Sequence, residues 1–237
     1  MKFTTAFVAL FAAATALPTA EPEVDAEVVA AEFSKLEARA QLEARATGST
    51  VNELSNGPCR AVTFIFARGS TEPGNIGSSV GPPTCDGLKS RLGANNVACQ
   101  GVGSPYTAGL GDNSLPSGTT QAAITEGARL FNLAATKCPQ TKIVGGGYSQ
   151  GAAVIHGVAR TLSTTVQNRV AGLVTYGDTR KAQDRNMIPP FPSSKTLIIC
   201  NAGDGVCTGT LVVTAAHLAY QGTVGTAVNF LVGKVNA

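Results

Sequence analysis

The chain has 237 residues and a formal net charge of +3, with 43% hydrophobic and 14% charged side chains. This length and composition are typical of a globular domain with a full-sized core, and they exclude disorder, collagen and coiled coil. The charge is small and no cluster of Lys and Arg accompanies it, so nucleic-acid binding is not expected.

Residues 1–16 have the pattern of a secretory signal peptide. Lys2 precedes an apolar run that ends in small residues just before Leu17 and Pro18. A buried N-terminal helix is the alternative. No later stretch approaches the roughly 20 apolar residues that cross a bilayer. The sequence therefore predicts a secreted protein without a membrane span.

Residues 17–46 are predicted to be a removable pro-segment. From Glu21 onward this segment carries seven acidic and three basic side chains and repeats the letters LEARA. Its apolar surface is too small to hold a helix in place. We expect residues 47–237 to form the mature domain, with a net charge of +6.

From Ala61 onward, short β-branched runs alternate with longer segments of helical periodicity, as in parallel strands joined by crossover helices. Strands are predicted at 61–67, 96–102, 141–147, 170–177 and 195–201, and helices near 82–92, 118–137, 150–164, 211–220 and 223–235. The strands are nearly continuous apolar runs, which suits strands covered on both faces. The predicted fold class is α/β, a three-layer sandwich around a central five-stranded parallel sheet.

All six cysteines lie in the mature part, and an even number behind a signal peptide indicates disulfides. A zinc site is the alternative, but both histidines lie far from any Cys-x-x-Cys pair, so no metal is expected. The favoured pairs are Cys200 with Cys207 in a small loop, Cys85 with Cys99 between a helix and the next strand, and, as the remainder, Cys59 with Cys138.

Ligands bind at the carboxyl ends of the strands in such sheets, so the chemistry is sought there. Strand 141–147 runs into Gly147-Tyr148-Ser149-Gln150-Gly151, which fits the nucleophile-elbow pattern G-x-S-x-G between a strand and a helix. Ser149 is therefore the candidate nucleophile. The alternative is a plain turn in which Ser149 is the N-cap of the helix.

A serine nucleophile needs a base, and the chain contains only His156 and His217. His156 lies roughly 10 Å along the same helix, too far from Ser149 to serve. It is interpreted as a helix-surface or packing residue. His217 follows both Ser149 and Asp204, which gives the order Ser, Asp, His that α/β-hydrolases use. His217 is the candidate base.

The acid that orients the imidazole should follow a strand, which leaves Asp204 and Asp178. Asp204 is preferred because it follows the last strand and lies in the loop between Cys200 and Cys207. Asp178 is interpreted as a surface ion pair with the nearby Arg180.

Donors for an oxyanion are expected after the nucleophile and after the first strand. The backbone N–H of Gln150 is the first donor, and the N–H and hydroxyl of Ser70 supply the second. The alternative for Ser70 is an ordinary turn residue.

Together these residues resemble the fungal cutinases, small secreted serine esterases of the α/β-hydrolase fold. The resemblance runs from about Cys59 to the C-terminus, and Cys59 and Cys138 are spaced as the long-range disulfide of that family would be. Its motifs are ARGSTEPGNIG (67–77), GLGDNSLPSGTT (109–120), GGYSQGAAV (146–154), CNAGDGVCTGTL (200–211) and AAHLAY (215–220).

The resemblance implies a minimal α/β-hydrolase and assigns further roles. Ser149, His217 and Asp204 form the triad, with Ser70 and Gln150 as the oxyanion hole. It adds Asn113 as a brace for Ser70, and a rim of the acyl-binding cleft formed by Leu110, Leu211 and Val213. Cys85 and Cys99 resemble an extra disulfide found in some members. No long apolar insertion resembles a lid.

Three positions depart from the family pattern. Ala216 stands where Pro often precedes the catalytic His, Asp178 where an aromatic residue often follows the Gly, and Gly205 where Leu commonly follows the Asp. These changes bear on the stiffness of the loop that carries His217 more than on the reaction.

The predicted function is a serine carboxylesterase that hydrolyses the polyester cutin and short soluble esters through an acyl-enzyme. The first alternative is a carbohydrate esterase of the acetylxylan type. The second is a non-catalytic secreted protein that binds a surface. No cofactor is expected, the partner is an insoluble ester polymer, and a monomer is the default.

Overall fold

The computed structural model describes residues 47–237. The predicted signal peptide and pro-segment lie outside the described residues. The described part is built on a five-stranded, wholly parallel sheet in the order β2-β1-β3-β4-β5. Its strands are β1 Val62–Ala67, β2 Val97–Gly101, β3 Lys142–Tyr148, β4 Val170–Tyr176 and β5 Thr196–Ile199.

Helices cover both faces of the sheet, which confirms the predicted three-layer sandwich. They are α1 Glu53–Asn56, α2 Gly81–Leu92, α3 Gln121–Lys137, α4 Gln150–Thr161, α5 Thr164–Arg169 and α6 Val224–Asn236. One core contains Leu130 and Phe131 of α3 with Val154 of α4. The other contains Leu88 of α2 with Leu231 of α6. The strands contribute to both cores, which explains their continuous apolar runs.

The predicted helix at 211–220 is wrong, because this segment is an irregular loop with a single 3-10 turn at Ala215–Leu218. Two loop hydroxyls bond to backbone carbonyls instead, Thr210 Oγ1 to Gly205 at 2.8 Å and Thr214 Oγ1 to Gly203 at 2.9 Å. Such bonds compete with a helical ladder. The predicted helix at 150–164 ends at Thr161, and α5 begins after Ser163, whose hydroxyl accepts from Val166 N–H.

Three consecutive glycines in the central strand β3 allow the layers to approach closely under the serine. A Cβ at Gly145 would lie 2.6 Å from the ring of Phe131, one at Gly146 would lie 2.9 Å from a carbonyl oxygen of β4, and one at Gly147 would lie 2.2 Å from the carbonyl oxygen of Gly151. No room remains there for a side chain.

Three disulfides stabilise the sandwich. They join Cys59 to Cys138, Cys85 in α2 to Cys99 in β2, and Cys200 to Cys207. Among the described residues, no helix has both the length and the apolar character to cross a membrane.

Candidate active site

Ser149 occupies the sharp turn between β3 and α4, with φ 55° and ψ −118°. A non-glycine residue with this backbone is strained and stays in place only where its surroundings fix it. Ser149 N–H donates to the carbonyl of Tyr176 at 2.9 Å. The serine occupies the N-cap position of α4, yet its hydroxyl makes no capping bond. The capping alternative therefore fails for the side chain, which points to His217 instead.

The hydroxyl of Ser149 lies 2.9 Å from Nε2 of His217, and Nδ1 of the same ring lies 2.8 Å from Oδ2 of Asp204. A carboxylate only accepts hydrogen bonds, so Nδ1 carries the proton and Nε2 is free to accept from Ser149. His217 and Asp204 are buried, whereas Ser149 is partly exposed. The three side chains form one hydrogen-bonded line from solvent into the protein.

Asp204 is held by two further donors. Tyr220 hydroxyl donates to Oδ2 at 2.6 Å, and the N–H of Val206 donates to Oδ1 at 2.9 Å. Burial raises the pKa of Tyr220, and its bond to Asp204 acts in the same direction, so this hydroxyl keeps its proton. The carboxylate therefore faces fixed donors inside the disulfide loop.

The ring of His217 is also fixed by packing. Tyr148 stacks on it with ring centroids 5.3 Å apart, and the Tyr148 hydroxyl donates to the carbonyl of His217 at 2.7 Å. On another side the ring abuts Gly177, where an added Cβ would lie 2.7 Å from His217 Cε1. Sequence reasoning missed Tyr148 and Tyr220 as supports, because aromatic residues beside a motif are usually core residues.

A second polar group, in the loop after β1, contacts the residue that follows the serine. Ser70 Oγ accepts from Nδ2 of Asn113 at 2.8 Å and from Nε2 of Gln150 at 3.1 Å. With both lone pairs engaged, the Ser70 hydroxyl is left as a donor. The backbone N–H of Gln150 is the first of α4 and has no acceptor within the helix.

Glu72 organises the Ser70 loop and was not singled out from the sequence. Its Oε2 accepts from Gly69 N–H at 2.7 Å, and its Oε1 accepts from Ser78 N–H at 3.0 Å and from Ser79 N–H and hydroxyl at 2.9 and 2.6 Å. One acidic residue in a loop gives no sequence signal for this role.

Apolar side chains are exposed on the segments that flank the site. We call Leu110, Leu211 and Val213 the apolar rim; they are 56–67% exposed. Leu110 shares a 3-10 turn with Asn113, and the other two lie between Asp204 and His217. Leu218, directly after His217, is equally exposed and was not predicted. Exposed apolar groups on adjoining loops are typical of binding surfaces.

The interpretation of Asp178 as a surface ion pair with Arg180 is wrong. The Asp178 carboxylate is fully buried and lies 2.9 Å from Nε2 of His156. Arg180 contributes only its backbone N–H, at 2.7 Å from Oδ1 of Asp178. His156 is likewise buried, not on the helix surface. Two charged groups separated by 22 positions carry no sequence signal that they meet in the interior.

Within residues 47–237, no three His, Cys, Asp or Glu side chains converge as a metal site requires. Ser149, His217 and Asp204 offer a candidate nucleophile, base and oriented acid, and Ser70 and Gln150 offer candidate donors. Acyl transfer needs this set of groups.

Comparison with known proteins identifies the family. The family model described as Cutinase matches residues 58–235. "Probable cutinase 1" of Aspergillus niger is 53% identical over 81% of this chain and 73% of its own length. "Cutinase 1" of Fusarium vanettenii is 48% identical over 83% of this chain and 87% of its own.

Among solved structures, a Trichoderma reesei cutinase in complex with a phosphonate inhibitor superposes with a TM-score of 0.71 at 30% identity, covering 90% of this chain and 93% of that one. An acetylxylan esterase shares the fold, with a TM-score of 0.58 at 22% identity over 75% of this chain and 99% of that one. A family model that spans most of the described residues and relatives at about half identity agree, so this chain belongs to the cutinase family.

Proposed function

We propose that this ester hydrolase of the cutinase family cleaves the ester bonds of cutin through an acyl-enzyme on Ser149. The observation that carries the proposal is the hydrogen-bonded line from Ser149 through His217 to Asp204. Such a line lets the imidazole take a proton from the serine while the buried carboxylate stabilises the charge that forms on the ring.

In the first half-reaction, Ser149 Oγ attacks the ester carbonyl carbon and His217 Nε2 takes the hydroxyl proton. The carbonyl oxygen becomes an oxyanion, which the N–H of Gln150 and the Ser70 hydroxyl stabilise. Collapse breaks the bond to the alcohol, which leaves with the proton from His217. Water then attacks the acyl-enzyme by the same route and releases the acid.

The exposure of the site supports this substrate class. Ser149 is partly exposed, and the apolar rim lies on the segments that carry Asn113 and His217. An aliphatic polyester chain can lie on such a rim, whereas an acetyl group on a polysaccharide offers almost no apolar surface to bind. The rim therefore favours cutin over acetylated xylan.

We also propose that the protein is secreted and acts as a monomer, that residues 1–16 are its signal peptide, and that residues 17–46 are removed. N-terminal sequencing of the protein from culture medium tests the secretion and the two cleavages. A mature chain that begins near Thr47 supports the proposal, and a chain that begins at Leu17 contradicts the removal of the pro-segment.

The decisive experiment measures release of hydroxy fatty acids from purified insoluble cutin by the mature protein. Soluble butyrate esters and acetyl-xylan are assayed in parallel, and Ser149→Ala is the matched variant. Release that disappears in the variant supports the proposal. Cleavage of acetyl-xylan alone, still dependent on Ser149, would move the substrate to polysaccharide. Inactivity on all three would overturn the catalytic reading in favour of surface binding.

A further inference from the structure

A second buried histidine lies on the helix that begins at the nucleophile. His156 is in α4 and is 1% exposed. Its Nε2 lies 2.9 Å from Oδ2 of Asp178, and its Nδ1 lies 2.5 Å from Oδ2 of Asp184. Asp178 is fully buried, and the Asp184 side chain is 8% exposed. The ring is therefore clamped between two carboxylates in the interior.

This geometry determines the charge of the ring. A neutral imidazole has one donor nitrogen and one acceptor nitrogen, whereas each nitrogen of His156 faces a carboxylate oxygen, which only accepts. Both nitrogens must carry protons, so the ring is an imidazolium. Burial by itself would lower the pKa of His156, but the bonds to Asp178 and Asp184 outweigh burial and raise it.

The neighbouring charges are few. Arg160, on the same helix, lies 2.7 Å from Oδ1 of Asp184, and Arg180 lies 4.0 Å from that atom. Thr175 of β4 donates its hydroxyl to Asp178 at 2.6 Å. Helix α3 contributes only the uncharged Gln121 and Ile124 to the cavity beside His156. Among residues 47–237, the two aspartates are thus the only anions facing the ring.

The clamped carboxylates belong to segment 177–184, which also contacts the catalytic groups. Gly177, next to Asp178, packs against the ring of His217. Thr179 donates its hydroxyl to the carbonyl of Ser149 at 3.3 Å. Any movement of this segment therefore changes the surroundings of both the nucleophile and the base.

We propose that protonated His156 is a positioning residue of the esterase: by bonding Asp178 and Asp184 it fixes segment 177–184 against Ser149 and His217. Loss of its proton turns one bond into a repulsion between a lone pair and a carboxylate, and so sets the alkaline limit of activity. This inference rests on the proposed triad.

The first test reads the protonation of the ring directly. The chain has 2 histidines, so the protein labelled with ¹⁵N-histidine gives ring signals from His156 and His217 alone, and His156→Asn assigns them. Near pH 8, which is well above the ordinary pKa of about 6.5, both His156 nitrogens are expected to carry protons. A neutral His156 ring at this pH would overturn the proposal.

The second test follows the pH profile of kcat on a soluble butyrate ester. Asp178→Asn keeps the shape of the side chain but removes one carboxylate charge, so His156 should lose its proton at lower pH. We expect the alkaline limb of kcat to move down by about 1 pH unit or more. The acidic limb, to which His156 does not contribute, should stay in place. A merely structural role would lower the melting temperature without moving one limb.

The third test measures the reactivity of Ser149 itself, as its rate of phosphonylation by a p-nitrophenyl phosphonate well below the melting temperature. His156→Asn should lower this rate by about tenfold. Lys89→Gln is the control. It breaks an ion pair between Glu53 and Lys89 of α2, which covers the face of the sheet opposite α4, and it should leave the rate unchanged. If folded His156→Asn has the wild-type rate and alkaline limb, the proposal fails.

The outcomes separate this inference from the proposed function. Esterase activity or phosphonylation that persists in Ser149→Ala would contradict the triad, whatever the state of His156. Full dependence on Ser149, combined with a neutral His156, would contradict only the positioning role. If His156→Asn does not fold, Asp178→Asn and the ring protonation of the wild-type protein decide.

Discussion

The loop that carries His217 is fixed by hydrogen bonds, although Ala216 stands where the family often has proline. Nδ2 of Asn201 donates to the carbonyls of Ala216 and Ala219 at 2.9 and 3.0 Å. The hydroxyl of Tyr148 donates a hydrogen bond to the carbonyl of His217. A proline would restrict this loop covalently, and these hydrogen bonds restrict it instead. The absence of the proline therefore does not free the ring of His217 to move.

Gly177→Ala should damage both activity and stability. The residue has φ +53°, and an added methyl would lie 2.7 Å from His217 Cε1. We expect kcat to fall by about tenfold or more and the free energy of unfolding to fall by about 1–3 kcal/mol. Steady-state kinetics and urea unfolding measure these effects. Gly233→Ala, exposed in α6 with nothing within 4 Å, is the control and should leave kcat unchanged; equal effects of the two variants would refute the steric argument.

Ser70→Ala should lower kcat by about 10²- to 10³-fold with little change in KM, because it removes a donor used only in the transition state. Asn113→Ala should have a smaller effect, since Gln150 still bonds to Ser70 Oγ. The measurement is kcat and KM on a butyrate ester. A rise in KM at constant kcat for Ser70→Ala would contradict the assigned role.

Among the elements, the loop at 205–218 shows what periodicity cannot predict. The spacing of Leu211, Val212 and Leu218 suits a helix, but these side chains are exposed, and a helix is stabilised mainly by burying its apolar face. The segment instead packs its backbone on Gly205, where an added Cβ would lie 2.7 Å from the carbonyl of Val212. This explains why Gly205 stands where the family commonly has leucine.

The apolar rim should matter for the polymer and not for small esters. Leu211→Gln combined with Val213→Gln should lower adsorption to cutin and release of hydroxy acids, while kcat/KM on a soluble acetate ester changes by less than about threefold. Met187→Gln, an exposed apolar residue outside the rim, is the matched control. Loss of both activities in equal proportion would show that the rim supports the fold of the site and not binding.

The disulfides should separate stability from catalysis. Cys59–Cys138 spans 79 positions, and its double replacement by serine should cost about 4–5 kcal/mol of unfolding free energy with kcat unchanged. Cys200–Cys207 spans 7 positions and encloses Asp204, so its replacement should cost about 2 kcal/mol and lower kcat as well. Thermal unfolding and kinetics of both variants test this contrast. An unchanged kcat for the second variant would contradict the anchoring of Asp204.

The elements that could be predicted are those with a strong local signal. The strands were found because burial on both faces makes them continuous apolar runs, and the elbow because glycines must flank Ser149. The pairing of His156 with Asp178 could not be predicted, because it depends on how α4 packs beside the end of β4. Tyr220 and Glu72 could not be predicted either, because an aromatic residue beside a motif is usually a core residue and one acidic residue in a loop gives no sequence signal.

At the scale of the whole molecule, a parallel sheet covered on both faces leaves little water in the interior, so buried charges there must be paired. The cluster of His156, Asp178 and Asp184 is paired in this way, and it couples folding to pH. The raised pKa of the histidine and the lowered pKa values of both aspartates mean that the folded state favours all three charges.

The stability of the protein should therefore depend on pH with a definite sign. The contribution of His156 to the free energy of unfolding is complete below pH 6.5, and it is lost as the pH rises through the raised pKa of the folded state. The contribution of the two aspartates is complete above pH 3.8, and it is lost as the pH falls through their lowered pKa values. Melting temperatures should form a plateau between these limits. In His156→Asn the alkaline decline should flatten, and a decline as steep as in the wild type would refute this assignment.

The three glycines of β3 have a consequence for how this enzyme can change. Neighbouring atoms already fill the space beside Gly145, Gly146 and Gly147. Any larger residue at these positions, natural or engineered, should therefore destabilise the strand that carries the nucleophile. The residues at 110 and 211–213 are exposed, so their replacement should not require any layer to repack. New ester preferences should thus arise by substitutions in these two loops, while the three glycines of β3 stay unchanged in natural relatives and in selected variants.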